Sequence, residues 1–447
     1  MGEDRASART RSAHVIRAPA YERLTTLAIV IVVAGLALAI GLSCDAVLDI
    51  TPPYVKIVSP ADGDSIKGSA RARVEANDHS LSKLQLYLDD SLIATASQSP
   101  LEASVGIDTS FSTHRLRAVA YDRGGNWSDD ITTVVRLVPR VSLTLLNTYS
   151  TPGHALDFDI AAGYLYVADS SSLVILSLAN PAAPVEVGSF GGGNSYYCDV
   201  HVANGLACVG NYAHAPPLFD VTNPSSPRLL STLGISDAAG VYCEESLAYA
   251  LSYMDTFYVV SMSVPTAPVV LGSCKITEYQ HPTPGVHMEK SGDFVYVMSD
   301  YDGVEVVDVS TPTMPSRVAG MGFSPTPTPT SGRLGHLAIR QDTLYYASAG
   351  CVPVADITNP TNPTKLGEIP VKGDVAGIAV DDSFFYATSL SPVESLRVLS
   401  RTDWTVMAEV STSGEPLSVV VLDSFVYLAC RDGHINTYKR TQTWVAK

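Results

Sequence analysis

The chain has 447 residues, 46% hydrophobic and 17% charged, with 28 Pro and 32 Gly spread along it. That balance argues against a disordered chain and against one small domain, and two or three folding units are expected. The formal charge is −16, and because the first 23 residues carry five Arg against three acids, the rest stands near −18. With no basic stripe to release counterions from a polyanion, the chain is not expected to bind nucleic acid.

Residues 1–44 read as a targeting segment. Arg5, Arg9, Arg11, Arg17 and Arg23 precede the sixteen uncharged positions Leu27–Leu42, LAIVIVVAGLALAIGL, the arrangement of an export signal with its positive end inside. Counted from Leu24 the run gives about 28 Å of helix against a hydrocarbon core of about 30 Å, so a retained anchor helix would span. Ser43-Cys44-Asp45 follows. A small residue before a cysteine at the end of an apolar run resembles the lipobox of bacterial lipoproteins, with Cys44 as the lipidated residue, although Gly41 stands where that pattern prefers Leu. Lipoprotein, signal anchor and simple secretion are the three readings. The first two tether everything beyond residue 45 to a membrane, in the extracytoplasmic cell envelope.

Residues 52–138 read as one all-β unit. Lys83–Leu88 alternates with period two, Asp89-Asp90-Ser91 supplies a turn and Leu92–Thr95 returns, which makes a hairpin. His114–Tyr121 alternates likewise, ends in the turn Asp122-Arg-Gly-Gly-Asn126, and is followed by the β-branched run Ile131–Val138. Short strands at this spacing make a sandwich. PPYVKIVSPADGDSIKG from Pro52 and HRLRAVAYDRGGN from His114 resemble bacterial immunoglobulin-like domains, whose members mostly act as spacers or adhesion modules. Asp122 is a candidate Ca²⁺ ligand, and equally a turn aspartate.

Internal repetition dominates residues 141–447. An apolar β-run recurs as YLYVAD at Tyr164, LACVGN at Leu206, LAYALS at Leu247, FVYVMS at Phe294, LYYASA at Leu344, FFYATS at Phe384 and FVYLAC at Phe425, spaced by 42, 41, 47, 50, 40 and 41. Second runs such as LVILSL at Leu173 and VEVVDV at Val304 come next. A proline motif then follows in five units, at Asn180, Asn223, Val264, Thr311 and Asn359, and is missing from the last two. Pro cannot donate into a ladder, so the motif separates a third strand from a fourth. A period near 41 with four strands, apolar on both faces, requires each sheet to be covered on both sides by neighbours, which is a β-propeller.

LVILSLANPAAP from Leu173, VEVVDVSTPTMP from Val304 and DFDIAAGYLYVADS from Asp157 resemble the LVIVD repeat, a propeller family. The expected fold is therefore all-β: a seven-bladed β-propeller preceded by an immunoglobulin-like β-sandwich and an N-terminal apolar signal or anchor helix. Val141–Tyr149 has the character of an outer strand that completes the last blade. RTQTWVAK from Arg440 resembles the start of the sixth unit's outer strand at Arg401 and competes for that place.

Beyond Cys44, cysteines stand at 198, 208, 243, 274, 351 and 430, an even number in an oxidising compartment, with fifteen pairings open. Cys198 and Cys208 fall on adjacent strands of one expected hairpin; the plainer reading is buried free thiols acting as small apolar groups.

The connections between blades gather at the channel mouth, and the two long spacings place their extra residues there, at 274–287 and 323–336. Candidate binding residues at the mouth are His154, Asp157, Asp199, His281, His287 and His336. Asp157, Asp199 and His287 each stand seven residues before the aligned run and point alike. Imidazoles and carboxylates so placed could hold a divalent metal, and Asp at that position could equally bond backbone amides. Clustered tyrosines, Tyr196 and Tyr197 among them, could form a glycan or peptide surface. No GxSxG, HExxH, P-loop or GxGxxG pattern occurs. The leading reading is a membrane-anchored binding or scaffolding protein with the propeller as platform for a protein or glycan ligand. The alternative is a metal-dependent hydrolase or lactonase-like enzyme at the channel mouth.

Overall fold

The computed structural model describes residues 49–107, 112–191, 196–252, 254–276, 287–299, 303–322, 335–390 and 394–446. The apolar leader, Cys44 and His281 lie outside the described residues. No helix occurs among them, and two compact units divide the chain: one reaches Val138 and includes Trp444–Lys447, the other is Pro139–Thr443.

The first unit is an immunoglobulin-like sandwich of two antiparallel layers. Tyr54–Ser59, Ser69–Asn77 and Leu101–Gly106 form one layer, and Ser91–Ala96, Leu81–Leu88, Thr113–Asp122 and the early part of Trp127–Ser150 the other. Alternation sends Ala72, Val74, Leu84, Leu86, Leu116 and Ala118 inward, each fully buried. The Leu88–Ser91 hairpin closes on Asp89 and Asp90, both at positive φ (47° and 66°), the backbone of a two-residue turn that matches strand twist. Asp89 is also used twice outside the turn, accepting from the Arg115 amide at 2.9 Å and meeting Nδ1 of buried His114 at 2.6 Å. Asp122 serves its turn, as its two carboxylate oxygens accept from the backbone and side chain of Asn126 at 2.8 and 2.7 Å.

The second unit is a succession of four-stranded antiparallel sheets of propeller type. Sheet one is Asp157–Ala161, Tyr164–Asp169, Ser172–Ser177 and Val185–Gly191; sheet two is Tyr197–Ala203, Leu206–Asn211, Pro217–Asp220 and Arg228–Thr232. Sheet three is Ala238–Glu244, Leu247–Ser252, Thr256–Ser261 and Val269–Lys275; sheet four is Met288–Ser291, Phe294–Ser299, Gly303–Asp308 and Ser316–Met321. The long strand Thr364–Val380 ends sheet five, after Leu337–Arg340, Thr343–Tyr346 and Ala349–Asp356, and begins sheet six, before Phe384–Ser389, Ser395–Ser400 and Val406–Ser411. Sheet seven is Pro416–Leu422, Phe425–Cys430 and His434–Ala446, with the later part of Trp127–Ser150 beside the last of these.

The two competing tail segments take different places. The stretch after Arg440 prolongs the third strand of sheet seven, and Val141–Ser150 lies next to it, with Ser142 Oγ 2.8 Å from Thr441 Oγ1 and Thr148 Oγ1 donating to Asn436 at 2.7 Å.

The absence of alternation in the second strands has a packing cause. Leu165 and Val167 turn toward Tyr427, Ala429 and Ile435 of sheet seven, while Tyr166 and Ala168 turn toward Val200, Val209 and Phe219 of sheet two. Both faces are therefore dry. The proline motifs lie between third and fourth strands as expected, each closed by a turn from residue one to residue four: Ala183 N–H to Asn180 O, Ser226 to Asn223, Ala267 to Val264, Met314 to Thr311 and Asn362 to Asn359, all at 2.8–3.0 Å. Where Asn leads, its Oδ1 also accepts the amide two residues on, at 3.3 Å for Ala182, Ser225 and Thr361. Asn180→Ala, Asn223→Ala and Asn359→Ala should each lower stability by about 0.5–1 kcal/mol, read from denaturant midpoints, whereas Val264→Ala should change little.

Candidate functional site

The first strand of every sheet contributes to the wall of one cavity of about 290 Å³. Strand register sorts the first-strand residues into two tiers. Asp157 lies opposite Ala168 and Asp199 opposite Gly210, with Gly240 opposite Leu251 and Ser418 opposite Ala429. His287 and His336 hold the same place, their carbonyls accepting from Met298 and Ala347 at 2.9 and 2.8 Å, and Gly377 bonds Thr388 there. Two residues further along the same strands stand Asp159, His201, Tyr242, Glu289, Ala338, Ala379 and Val420. Successive side chains alternate across a strand, so residues i and i+2 share a face.

In the first tier, Asp157, Asp199 and His336 are buried, and His336 Nε2 is 3.8 Å from Asp157 Oδ1. The His287 and His336 rings lie 4.6 Å apart, inclined by 30°. Burial holds both imidazoles neutral, pushing His336 down to about 4 and His287 to about 3, where the neighbouring His336 adds to the effect. Asp199 is raised well above the carboxylate range by burial and by adjacent Asp157, to which its carboxyl is hydrogen-bonded. Its Oδ2 also accepts the Val241 amide of sheet three at 2.7 Å.

In the second tier, Asp159 Oδ2 accepts the Val202 amide of sheet two at 2.8 Å, and burial raises its carboxyl. Burial works against a proton on His201, but the hydrogen bond to the Cys243 sulfur, itself drawn down to about 6 by Cys208 and His201, and the charge of Asp159 outweigh it and lift the imidazole to about 9. His201 Nδ1 is 3.5 Å from Cys243 Sγ, and its ring sits 4.1 Å from that of Tyr242. Burial raises Glu289 to about 7, with His201 opposing and Asp159 and Asp157 reinforcing. A carboxyl with a raised folded pKa loses its stabilising contribution as pH climbs from the unfolded value toward the folded one. Glu289→Gln should therefore match the parent at pH 4 and be more stable by about 1–2 kcal/mol at pH 8, after discounting for its partial exposure, as thermal melts across that range would show.

Four of the residues singled out in the sequence, Asp157, Asp199, His287 and His336, line the cavity. His154 is set apart: it is exposed, and its Nδ1 contacts the Arg431 carbonyl. Asp159, His201 and Glu289 were missed, although a step of two residues along the strand from Asp157, Asp199 and His287 reaches each of them. Cys198 and Cys208 do not meet, since they pack into different clusters; the thiol hydrogen-bonded to Cys208 is Cys243 of sheet three. Among the described residues all six cysteines are free.

Metal ligation requires several donors around one point. Among the described residues the group of three that meets this lies in the sandwich: Asp49, Asp78 and His79, with donor atoms all within 4.8 Å of one another. Asp49 accepts from Ser80 Oγ at 2.8 Å and Asp78 from the Ser80 amide at 2.7 Å, so both carboxylates also serve the local turn. This trio is a candidate divalent-cation site; the channel donors are not drawn together in that way.

Residues 53–118 match the bacterial Ig domain model, and residues 152–191 and 289–319 match the LVIVD repeat. The chain carries a bacterial Ig domain and an LVIVD-repeat region. A chain of a mitotic checkpoint complex shares the fold, with a TM-score of 0.54 at 10% identity over 66% of this chain and 94% of that one. The computationally designed protein Ika8 (TM-score 0.48, 10% identity, 65% of this chain and 97% of that one) and BamB from Moraxella catarrhalis (0.48, 11%, 67% and 98%) are more distant. No curated protein matches the chain. The matched LVIVD segments contain Asp157, Asp159 and Glu289, so three of the four cavity carboxylates that lack a Lys or Arg partner fall within them.

Proposed function

We propose that this chain is an extracytoplasmic, envelope-attached binding protein. Its LVIVD region, residues 141–447, is a closed seven-bladed propeller that serves as the binding platform, the Ig domain at 52–138 is a spacer, and residues 1–44 supply the membrane attachment. The observation that carries the binding role is the cavity: first strands of all seven sheets face it, and it holds Asp157, Asp199, His287 and His336. Asp159 and Asp199 accept amides of the next sheet's first strand, and His201 Nδ1 stands 3.5 Å from Cys243 Sγ of sheet three. These groups hold sheets together around a polar space, and the sulfur that His201 meets, Cys243, is fully buried and outside the lining. That favours recognition over catalysis.

Attachment rests on the Arg-rich leader, the apolar run and Cys44, with lipid on Cys44 or a retained helix as the two forms. Metabolic labelling with a radioactive fatty acid tests this: label that disappears in Cys44→Ala supports lipidation, and membrane retention without label supports the anchor. Recovery of the full chain in the culture medium, unlabelled, contradicts attachment. Cross-linking on intact cells should recover the chain with an envelope partner, and recovery of the chain alone contradicts the platform role.

A further inference from the structure

Apart from Asp381, the ionisable groups of the cavity are confined to one arc. Sheets one, two and four supply Asp157, Asp159, Asp199, His201, His287 and Glu289, and sheet five adds His336, whereas the facing positions of sheets five, six and seven are Ala338, Ala379 and Val420. No Lys or Arg is among the lining residues. Asp381, also in the lining, is already paired with Arg440. Of the remaining four carboxyls, Asp199 is held well above the carboxylate range beside Asp157, and of the three imidazoles only His201 is raised, so the other three carboxyls face a single imidazolium. His287 Nδ1 is buried without a hydrogen-bond partner, while its ring faces the same space.

A bare divalent ion fits poorly, because the channel donors do not gather within one coordination sphere and the cavity is far larger than an ion requires. A ligand with a positive end and a short apolar body satisfies both walls at once. From this geometry we infer that the channel binds a small organic cation, a protonated amine whose ammonium sits among Asp157, Asp159 and Glu289 and whose carbon chain lies against Ala338, Ala379 and Val420. The ammonium offers three donors; the carboxylates take charge-assisted bonds, and neutral His287 is an acceptor within the same arc. The inference rests on the binding reading given above and names its ligand class.

Glu289 faces Asp157 and Asp159 of sheet one, His201 of sheet two and Tyr242 of sheet three. Since burial lifts it to about 7, its ionised fraction rises through the neutral range and amine affinity should rise about tenfold between pH 6 and pH 8.

The test is calorimetric titration of the full chain in detergent with n-butylamine, n-butanol, butyrate and zinc chloride. Butylamine should bind with a saturable heat that butanol and butyrate lack. The affinity should grow with pH as stated, and Glu289→Gln, which stays folded by its melt, should weaken it at least fivefold at pH 8 and flatten the pH dependence. Equal binding of butanol, saturable heat from zinc alone, or no heat from butylamine overturns the inference. None of these results bears on envelope attachment or on partner capture, so the two readings fail separately.

Discussion

Arg440→Ala should lower the stability of the LVIVD unit by about 2–4 kcal/mol, a larger effect than any exposed ion pair in the chain would give. Arg440 comes from the third strand of sheet seven and reaches sheet six. Its Nη1 donates to Asp381 Oδ2 and to the Tyr386 hydroxyl, its Nη2 donates to the Asp423 carbonyl at 3.2 Å, and its guanidinium lies 4.7 Å from the Phe384 ring centre. The pair is mostly covered, with side-chain exposures of 16% and 27%. Asp381 is held below the usual carboxylate range despite its burial, because the Ser383 and Phe384 amides and the Tyr386 hydroxyl all donate to it at 2.8 Å, with Arg440 adding charge. Removing the cation leaves a shielded carboxylate and uncovers an aromatic face. Arg440→Lys keeps the charge but not the fork, so about half the loss is expected. Urea denaturation followed by tyrosine fluorescence measures both, and a loss below about 0.5 kcal/mol, the level of a surface pair, would show that this clamp does not join the sheets.

Gly210→Ala should cost about 3 kcal/mol or more and disturb the cavity as well. A Cβ at Gly210 would stand 1.8 Å from the Ala239 carbonyl oxygen and 3.0 Å from Asp199 Cβ. The obstacle on one side is backbone of the next sheet, which cannot rotate away, so sheets two and three must separate and the Asp199 to Val241 bond stretches. Gly367→Ala is the control: nothing lies within 4 Å of its Cβ and its φ is not positive, so a change within about 0.5 kcal/mol is expected. If the two variants melt together, the sheets are not packed as closely as these distances state.

Much of this architecture was legible because a repeat writes the same physical demand several times. The runs at Tyr164 and Phe294 and the motifs at Asn180 and Asn359 each specify a strand or a turn, and agreement among copies removes the ambiguity of any single one. The outer strand at Val141–Ser150 was legible as well. Its partner was not, because the resemblance of Arg440–Lys447 to Arg401 reflects a shared β-pattern that says nothing about pairing.

The site was legible in part. Asp157, Asp199 and His287 share one offset from the aligned run. His336 fell one residue out of line because the structural run of sheet five begins at Thr343, not Leu344. Asp159, His201 and Glu289 follow from period two, yet a polar residue on a strand gives no sign of whether it faces a channel or solvent. The small residues Ala338 and Ala379 are silent in sequence, and only their place opposite the carboxylates gives them meaning. The Arg440 clamp joins residues 59 apart, beyond the reach of any local pattern.

A closed propeller requires the repeat sheets to meet end to start, so that seven first strands surround one channel. The most direct measurement is a disulfide trap between Val141–Ser150 and the last strand, using Ser142→Cys with Thr441→Cys, whose parent side-chain oxygens are 2.8 Å apart. After mild oxidation, peptide mass spectrometry should find the two segments joined within one chain, at high yield and without loss of fold. Two free thiols in the oxidised, folded protein would contradict closure and would remove the channel with it.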